Sequence, residues 1–275
     1  MPILRRLALL EHAILAVLGF VTVAPFLWMI ATSLKAPDKI FGAPLDLVPD
    51  GLAALDNYSR AFTTVPMLQF IANGVIVVFG ILFVQVLTAL FAAYALAKLE
   101  FRGRGLLLGC VIFGLCIPVQ VPALPLYLGI AAIGALDTYF ALMAPFFLSV
   151  FAIFLFRQFF RGFPDEVIQA ARLDGFTEME IVLRLILPSA RPAIAAFSVF
   201  SLTAHWNDLY WPMIVVSSLD RATPPLGMMF FTDSEFSGAF GPLMAGAAIV
   251  TLPLVGVFLA AQRQFIRGIT MTGLK

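Results

Sequence analysis

Length, composition and charge place this chain in a membrane. It has 275 residues, of which 61% are hydrophobic and 12% charged, about half the charged fraction of an average soluble domain. The formal net charge of +1 gives no reason to expect a nucleic-acid partner. The sequence lacks the phosphate-binding pattern G-x-x-x-x-G-K-[ST], so it predicts no ATP chemistry, no bound cofactor and no metal in this chain.

Six apolar runs are long enough to cross a bilayer, at roughly 20 residues each. We therefore expect an all-α membrane protein with six transmembrane helices in one domain, residues 1–275. These spans leave too little chain for a soluble domain of useful size. The predicted spans are Ala13–Leu34, Phe70–Ala97, Leu106–Gly129, Tyr139–Phe160, Pro192–Ser217 and Leu243–Ala261.

The distribution of Lys and Arg predicts the orientation, because cytoplasmic segments carry an excess of both. Placing both termini in the cytoplasm makes segment 163–192 cytoplasmic. Of the 17 Lys and Arg residues, this choice leaves on the outer side only Lys35, Lys39, Arg60 and Arg221.

Two outer segments, Lys35–Gln69 and Leu219–Phe240, are long for connections within a compact bundle. Both carry mixed charge and aromatic residues suited to a transient interface. We expect them to contact an external partner. The alternative for the first is a lid that only covers the ends of the spans.

The third predicted span holds two prolines, Pro118 and Pro122, with Gln120 between them. Proline bends a helix and frees backbone carbonyls, which in hydrocarbon need protein or water nearby. We therefore expect this segment to face the interior of the bundle. Gln120 either lines a solute pathway or bonds a neighbouring helix, and Asn73 in the second span has the same two interpretations.

The fifth predicted span contains a polar and aromatic run, with Trp206, Asn207 and Asp208 at its centre. Amide and ionisable side chains at membrane depth are costly and usually face a cavity. Flat aromatic faces suit the C–H side of a sugar, and Asn and Asp suit its hydroxyls. The alternative is an aromatic belt that marks the membrane interface. His205 is expected to bond a neighbouring helix.

The one long charged segment, 163–192, lies between two apolar spans. Its first half predicts a short helix, because Pro164 suits the first helical position. Asp165 and Glu166 follow where the helix dipole favours negative charge. Gly175 suits the left-handed position just past a helix end, so we expect a turn there.

The second half of this segment predicts another helix. Thr177 and Glu180 match a capping box. The helix should start there and run to Leu187, where Pro188 interrupts it.

Two interpretations of this helix–turn–helix remain open. As a docking element, it would present Ala170 and Ala171 at the closest approach to a partner's groove, with apolar contact from Val167 and Leu173. As an ordinary amphipathic loop, it would lie on the bilayer surface.

The loop resembles a known motif. Gln169-Ala170-Ala171, Asp174-Gly175 and Leu185-x-Leu187-Pro188 resemble the E-A-A-x-x-D-G … I-x-L-P loop of ABC importer permeases. Departures are Gln169 where that family usually has Glu, Phe176 where it has Ala, and Leu185 where it has Ile. They weaken any role that rests on a charge at position 169. The resemblance implies coupling to an ATPase through Glu166, Gln169, Ala170, Ala171, Asp174, Gly175, Leu187 and Pro188.

The resemblance extends over nearly the whole chain. It includes Asn57-Tyr58, Tyr94-Ala95-Leu96-Ala97, Ile117-Pro118, Phe156-Arg157-Gln158-Phe159-Phe160, Trp206-Asn207-Asp208 and the tail 262–268. These stretches are similar to the inner-membrane permeases of the maltose and glycerol-phosphate class of ABC sugar importers, and more narrowly to the second permease of such systems.

This likeness implies a multi-pass protein of a bacterial inner membrane, surrounded by lipid. It implies a heterodimer with a sister permease, an ATPase subunit dimer that holds ATP and Mg, an extracytoplasmic solute-binding protein and a sugar-like solute. It also implies that the tail after Arg267 reaches the ATPase dimer.

Other classes of function fit the residues less well. A secondary transporter or channel would couple through mid-membrane ionisable groups, but Asp208 is the only acid well inside a predicted span. An enzyme is not expected, because His12 and His205 are far apart and no H-E-x-x-H pattern occurs. The family handles neutral sugars, glycosides and anionic sugar or glycerol esters, and no residue here selects among them.

Overall fold

The computed structural model describes the backbone of residues 2–41, 51–232 and 240–271, and nearly all side chains within 10–41, 51–231 and 240–259. Over these ranges the chain is helical and contains no strand, which confirms the all-α prediction. The helices are α1 (Pro2–Ser33), α2 (Pro37–Ile40), α3 (Gly51–Thr63), α4 (Met67–Lys98), α5 (Arg104–Leu115), α6 (Ala123–Ala132), α7 (Tyr139–Met143), α8 (Val150–Arg161), α9 (Asp165–Leu173), α10 (Glu178–Ile181), α11 (Leu187–Ser189), α12 (Arg191–Trp206), α13 (Tyr210–Val215), α14 (Pro224–Met229) and α15 (Phe240–Met271).

Three helical stretches in the described ranges are long and apolar enough to cross a membrane: Leu10–Ser33, Met67–Lys98 and Phe240–Leu259. Two bent helix pairs would raise the number to five if each is one span. One pair, bent by 43°, is Tyr139–Phe146 with Val150–Arg161, the fourth predicted span. The other, bent by 76°, joins the helix ending at Ser189 to α12. The count of six spans stays a prediction.

The third predicted span is two short helices rather than one. α5 ends at Leu115 and α6 begins at Ala123, with Pro118 and Pro122 between them. Since proline lacks the N–H that a helix interior needs, the prolines explain the break. The fifth predicted span is similarly interrupted between α12 and α13.

The smaller of two compact units comprises residues 1–68 and 227–252. Within it, Asn57 Nδ2 donates hydrogen bonds to the backbone oxygens of Ser33 (3.0 Å) and Lys35 (2.8 Å). A buried amide with two acceptors fixes α3 against the end of α1.

The larger unit comprises residues 69–226 and 253–275 and is built around α4. One core joins α4 to α8, α9 and α10–α12, with Phe156 and Ile181 fully enclosed. A second core joins α4 to α6, α7 and α13 around Leu142. The charged segment singled out in the sequence is therefore packed directly onto α4.

Candidate functional site

The first helix of the charged segment forms as predicted, with its boundary moved by one residue. Pro164 is the N-cap residue in extended conformation, and α9 begins at Asp165. Asp165 and Glu166 occupy the first turn and Arg172 the last, which matches the sign of charge that each end of a helix dipole favours.

The turn after α9 depends on Gly175, whose φ is +84°, as the sequence predicted. Its N–H donates to Arg172 O (3.1 Å) and the N–H of Phe176 donates to Ala171 O (3.0 Å). These two bonds form a Schellman motif. A Cβ at position 175 would meet no atom within 4 Å, so glycine is needed for its backbone conformation and not for space.

The start of the second helix also matches the prediction. The N–H of Glu180 donates to Thr177 Oγ1 (3.3 Å), and the N–H of Thr177 donates to Glu180 Oε2 (3.0 Å), which completes the capping box. The backbone bond from Thr177 lowers the pKa of Glu180. The N–H groups of Phe176 and Thr177 thus donate to Ala171 O and Glu180 Oε2, so both have acceptors other than the adjoining Asp174.

Pro188 does not end the second helix, which corrects the prediction. α10 passes into a π-helical turn, Val182–Ile186, and then into α11, which contains Pro188. The Leu187 N–H donates to Val182 O, five residues back. The wider turn changes the hydrogen-bond pattern just before the proline, and the helix continues to Ser189.

The two faces of α9 have opposite environments. Ile168 and Ala171 are buried, and Ala171 is 7% exposed in the core shared with α4 and α8. Leu173 is 89% exposed, Val167 is 43% exposed, and Ala170 is also exposed. Ala171 therefore contacts this chain's own core, while Ala170, Val167 and Leu173 are open to a partner.

Hydrogen bonds from Tyr94 and Lys98 hold the segment on the end of α4. The Tyr94 hydroxyl donates to Glu178 Oε2, and Arg172 Nε donates to Glu178 Oε1 (2.7 Å). The bond from Arg172 lowers the pKa of Glu178, and the bond from Tyr94 acts in the same direction. Lys98 Nζ donates to Phe163 O (2.6 Å).

Lys98 also forms an ion pair with Asp165 at the start of α9. The contacts from Tyr94 and Lys98 thus reach both helices of the segment. A cleft of about 860 Å³ lies between the end of α4, the start of α5 and α9, and the residues that line it include Gln169, Arg172 and Arg104.

The remaining predicted coupling residues are placed as follows. Glu166, Gln169, Asp174 and Pro188 are exposed, and Leu187 is half-buried. Their roles toward an ATPase stay predictions.

Asn73 is 2% exposed and fully engaged within its unit. Its Nδ2 donates to Asp220 O (3.0 Å) and Ala222 O (2.9 Å), and its Oδ1 accepts from the Tyr139 hydroxyl (2.6 Å). It fastens the segment before α14 to the N-terminal part of α4. Its part in a solute pathway stays a prediction.

The other predicted pathway residues lie at the breaks between short helices. Gln120 is exposed between α5 and α6. Trp206, the last residue of α12, is buried. The next residue, Asn207, is exposed and donates to Thr203 O (2.9 Å). Asp208 Oδ1 accepts from the Trp211 N–H (3.2 Å) at the start of α13.

Sequence reasoning did not single out a buried polar cluster around Gln85. Its Nε2 donates to Phe146 O (2.8 Å), and its Oε1 accepts from the Ser201 hydroxyl (2.7 Å). His205 Nε2 lies 3.3 Å from Gln85 Nε2, in keeping with the interhelical role expected for His205. The available signal was Gln85 itself, the one Gln in the predicted span Phe70–Ala97.

Comparison with known proteins identifies the family. The model for the inner membrane component of binding-protein-dependent transport systems matches residues 85–271. The arabinooligosaccharides transport system permease protein AraQ of Halalkalibacterium halodurans is 31% identical over 276 residues, covering 100% of this chain and 98% of that protein. The sn-glycerol-3-phosphate transport system permease protein UgpE of Escherichia coli is 29% identical, covering 84% of each.

A solved structure shares the fold. A chain of a bacterial ABC transporter involved in the import of the acidic polysaccharide alginate superposes with a TM-score of 0.83, at 20% identity, over 95% of this chain and 97% of that one. The resemblance inferred from the motifs is confirmed. The chain belongs to the family of inner membrane components of binding-protein-dependent transport systems.

Proposed function

We propose that this chain is the permease subunit of an ATP-driven importer for a sugar or sugar-like solute and forms half of the translocation pathway. The observation that carries the proposal is the segment α9–α11. It is capped at its turn, fixed to α4 by Tyr94 and Lys98, and exposes Val167 and Leu173 to solvent.

The segment has the properties of a coupling element. Force from an ATPase can move the spans only through something stiff, and the Schellman motif with the adjoining capping box restricts the turn between the helices. The contacts of Glu178 with Tyr94 and of Lys98 with Asp165 would pass a displacement of the segment directly to α4.

ATP hydrolysis is assigned to a partner. A dimer of ATPase subunits would bind ATP and Mg and receive the exposed face of α9 at Ala170 and Leu173. This chain would hold no cofactor and perform no catalysis.

Two further partners complete the proposed assembly. A sister permease would supply the other half of the pathway, which agrees with residues 10–31 of the apolar helix α1, none of which is buried by the rest of this chain. A solute-binding protein would dock outside. Of the segments proposed to contact it, residues 42–50 and 233–239 lie outside the described part of the chain. The tail proposed to reach the ATPase is described only as far as Met271.

The solute class is inferred from the relatives. Their names specify arabinooligosaccharides, diacetylchitobiose, lactose and sn-glycerol-3-phosphate, all rich in hydroxyl groups. Gln120 and Asn207 are exposed at helix breaks. Their amides would donate hydrogen bonds to such solutes and accept hydrogen bonds from them. No specific observation favours the secondary transporter or channel.

Purification from the native membrane tests the proposal. We expect ATPase subunits to co-purify, and the reconstituted complex to hydrolyse ATP faster when the liganded binding protein is added. Leu173→Asp should reduce this stimulation, because it places a charge on the exposed apolar face. Arg102→Asp, at an exposed position in the turn between α4 and α5, is the control. A chain that transports its solute without any ATPase would contradict the proposal.

A further inference from the structure

Three arginines meet where α4 ends. Arg104 begins α5, and Arg157 and Arg161 lie in the last turns of α8. α5 and α8 pack side by side in opposite directions, since a Cβ on Gly114, near the end of α5, would lie 3.1 Å from Val150 at the start of α8. The start of α5 is therefore brought to the end of α8.

Two of these guanidinium groups share one backbone acceptor. Arg157 Nε and Arg104 Nε each donate to Leu96 O (3.1 Å in both cases), and Arg104 Nη2 donates to Ala97 O (3.1 Å). A guanidinium carries five N–H donors. Most donors of Arg157 and all those of Arg161 have no acceptor among the described residues and remain available for a further one.

The positive charge here exceeds the negative charge around it. None of the three arginines forms an ion pair in the described part of the chain, and Arg157 experiences repulsion from both Arg104 and Arg161. The end of a helix dipole supplies only about half a negative charge.

The acids that share the neighbouring cleft with Arg104 do not restore the balance. They are Glu100 and Asp165. Asp165 is already paired with Lys98, and Glu100 is the acid of this cleft that forms no ion pair in the described part of the chain.

An exposed apolar side chain lies on the same helix face as one of these arginines. Leu107 is 51% exposed and lies one turn after Arg104 in α5. A ligand that contacts both groups needs an anionic head and an apolar body. A free anion would leave the apolar part of the surface in water.

We propose that Arg104, Arg157 and Arg161 bind the phosphate of an acidic phospholipid in the cytoplasmic leaflet, with an acyl chain along Leu107. The inference rests on the proposed function only for the membrane orientation. Guanidinium groups bind phosphate oxygens through paired, charge-assisted hydrogen bonds, and basic pockets between membrane helices on the cytoplasmic side suit such headgroups. An acidic segment of the ATPase is less favoured, because the exposed Leu107 would face it with apolar surface.

Lipid retention tests this site directly. The purified complex is placed in nanodiscs of phosphatidylcholine or of an equal mixture with phosphatidylglycerol, and the lipids that stay bound are counted by native mass spectrometry. Arg161→Gln should fold normally, since Arg161 is exposed, and should weaken retention of phosphatidylglycerol about fivefold. Arg102→Gln, in the preceding turn, is the matched control and should change nothing.

Three outcomes would overturn the assignment. They are equal retention in Arg161→Gln and the unchanged protein, equal loss in Arg102→Gln, or displacement of the lipid by inorganic phosphate at a concentration that leaves phosphatidylcholine in place. Loss of ATPase subunits instead of lipid in Arg161→Gln would assign the cluster to the protein partner and also overturn it. Retention needs no ATP hydrolysis, so a complex that binds the lipid yet shows no stimulated ATPase activity would refute the proposed function and leave this site standing.

Discussion

Two interruptions of helical structure in this chain are stabilised in different ways. At the turn between α9 and α10, the freed backbone groups find partners a few residues away, through Gly175 and the Thr177–Glu180 capping box. At the bend before α8, the carbonyls of Phe146 and Phe147 accept hydrogen bonds from Gln85 and Thr88 of α4. The hydrogen bonds at the first interruption are local, and those at the second come from another helix.

The difference follows from the surroundings of each interruption. A loop in water can leave some backbone groups to the solvent, so a glycine and a capping residue are sufficient. A break among apolar helices has no water to satisfy its carbonyls, and an unsatisfied group there costs several kcal/mol. A polar side chain from another helix must then reach it. Variants at each interruption measure how much these hydrogen bonds contribute to stability and to activity.

The largest effect is expected at Ala171, where the helix of the loop meets the core. Ala171→Trp should destabilise the chain by about 3 kcal/mol or more, because the buried site has no room for an indole. Ala170→Trp, one residue earlier and exposed, should leave the thermal unfolding of the purified permease chain, measured without the ATPase, unchanged. Equal melting temperatures for the two variants would contradict the burial that divides them.

Gln85→Leu tests the hydrogen bonds that reach the bend before α8 from another helix. The variant removes the partners of Phe146 O and the Ser201 hydroxyl, and we expect about 2 kcal/mol of destabilisation. Thermal unfolding of the detergent-purified complex measures it. Gln158→Leu, at an exposed position on α8, is the control, and a loss as large there would show that the effect is not specific to the buried cluster.

Gly175→Val tests the turn between α9 and α10, which local hydrogen bonds stabilise. A β-branched residue at positive φ should cost about 1–2 kcal/mol and misalign α9 with α10, so binding-protein-stimulated ATPase activity should fall. Gly103 supplies a matched control, since its φ is +92° and a Cβ there also meets no atom within 4 Å. Gly103→Val should carry similar strain yet retain stimulation. Equal stimulation in both variants would mean that the turn has no part in coupling.

Tyr94→Phe should have a smaller effect. It removes the hydroxyl that donates to Glu178 and should loosen the segment from α4 by about 1 kcal/mol. Hydrogen exchange of the α10 amides should quicken, while exchange in α6, remote from this contact, stays the same. Unchanged exchange in α10 would argue against Tyr94 as an anchor of the loop.

The smallest expected effect is a pH dependence at Glu178. Its pKa is lowered in the folded chain, mainly by the bond from Arg172. The charged form therefore contributes its full stabilisation above the unfolded value of about 4.5, and that contribution is lost as the pH falls through the lower folded pKa. Glu178→Gln should remove this acid-dependent part of the exchange in α10, whereas Glu166→Gln should preserve it.

The sequence alone determined the membrane class, the family motif and the local geometry of the loop. Gly175 and the Thr177–Glu180 pair identified the turn correctly, because their signals act through the backbone of immediate neighbours. Pro188 misled the prediction, since a π turn that begins six residues earlier lets the helix continue.

The tertiary structure alone decided which side chains of the loop remain open to a partner and which breaks in the apolar helices have polar partners. Ala170 and Ala171 are identical and adjacent in sequence, yet only Ala171 is enclosed by α4 and α8. Gln85 became a bridge only when Phe146 and Ser201 were brought to it from 61 and 116 residues away. Burial and long-range hydrogen bonds depend on where distant helices pack, and no local pattern encodes that.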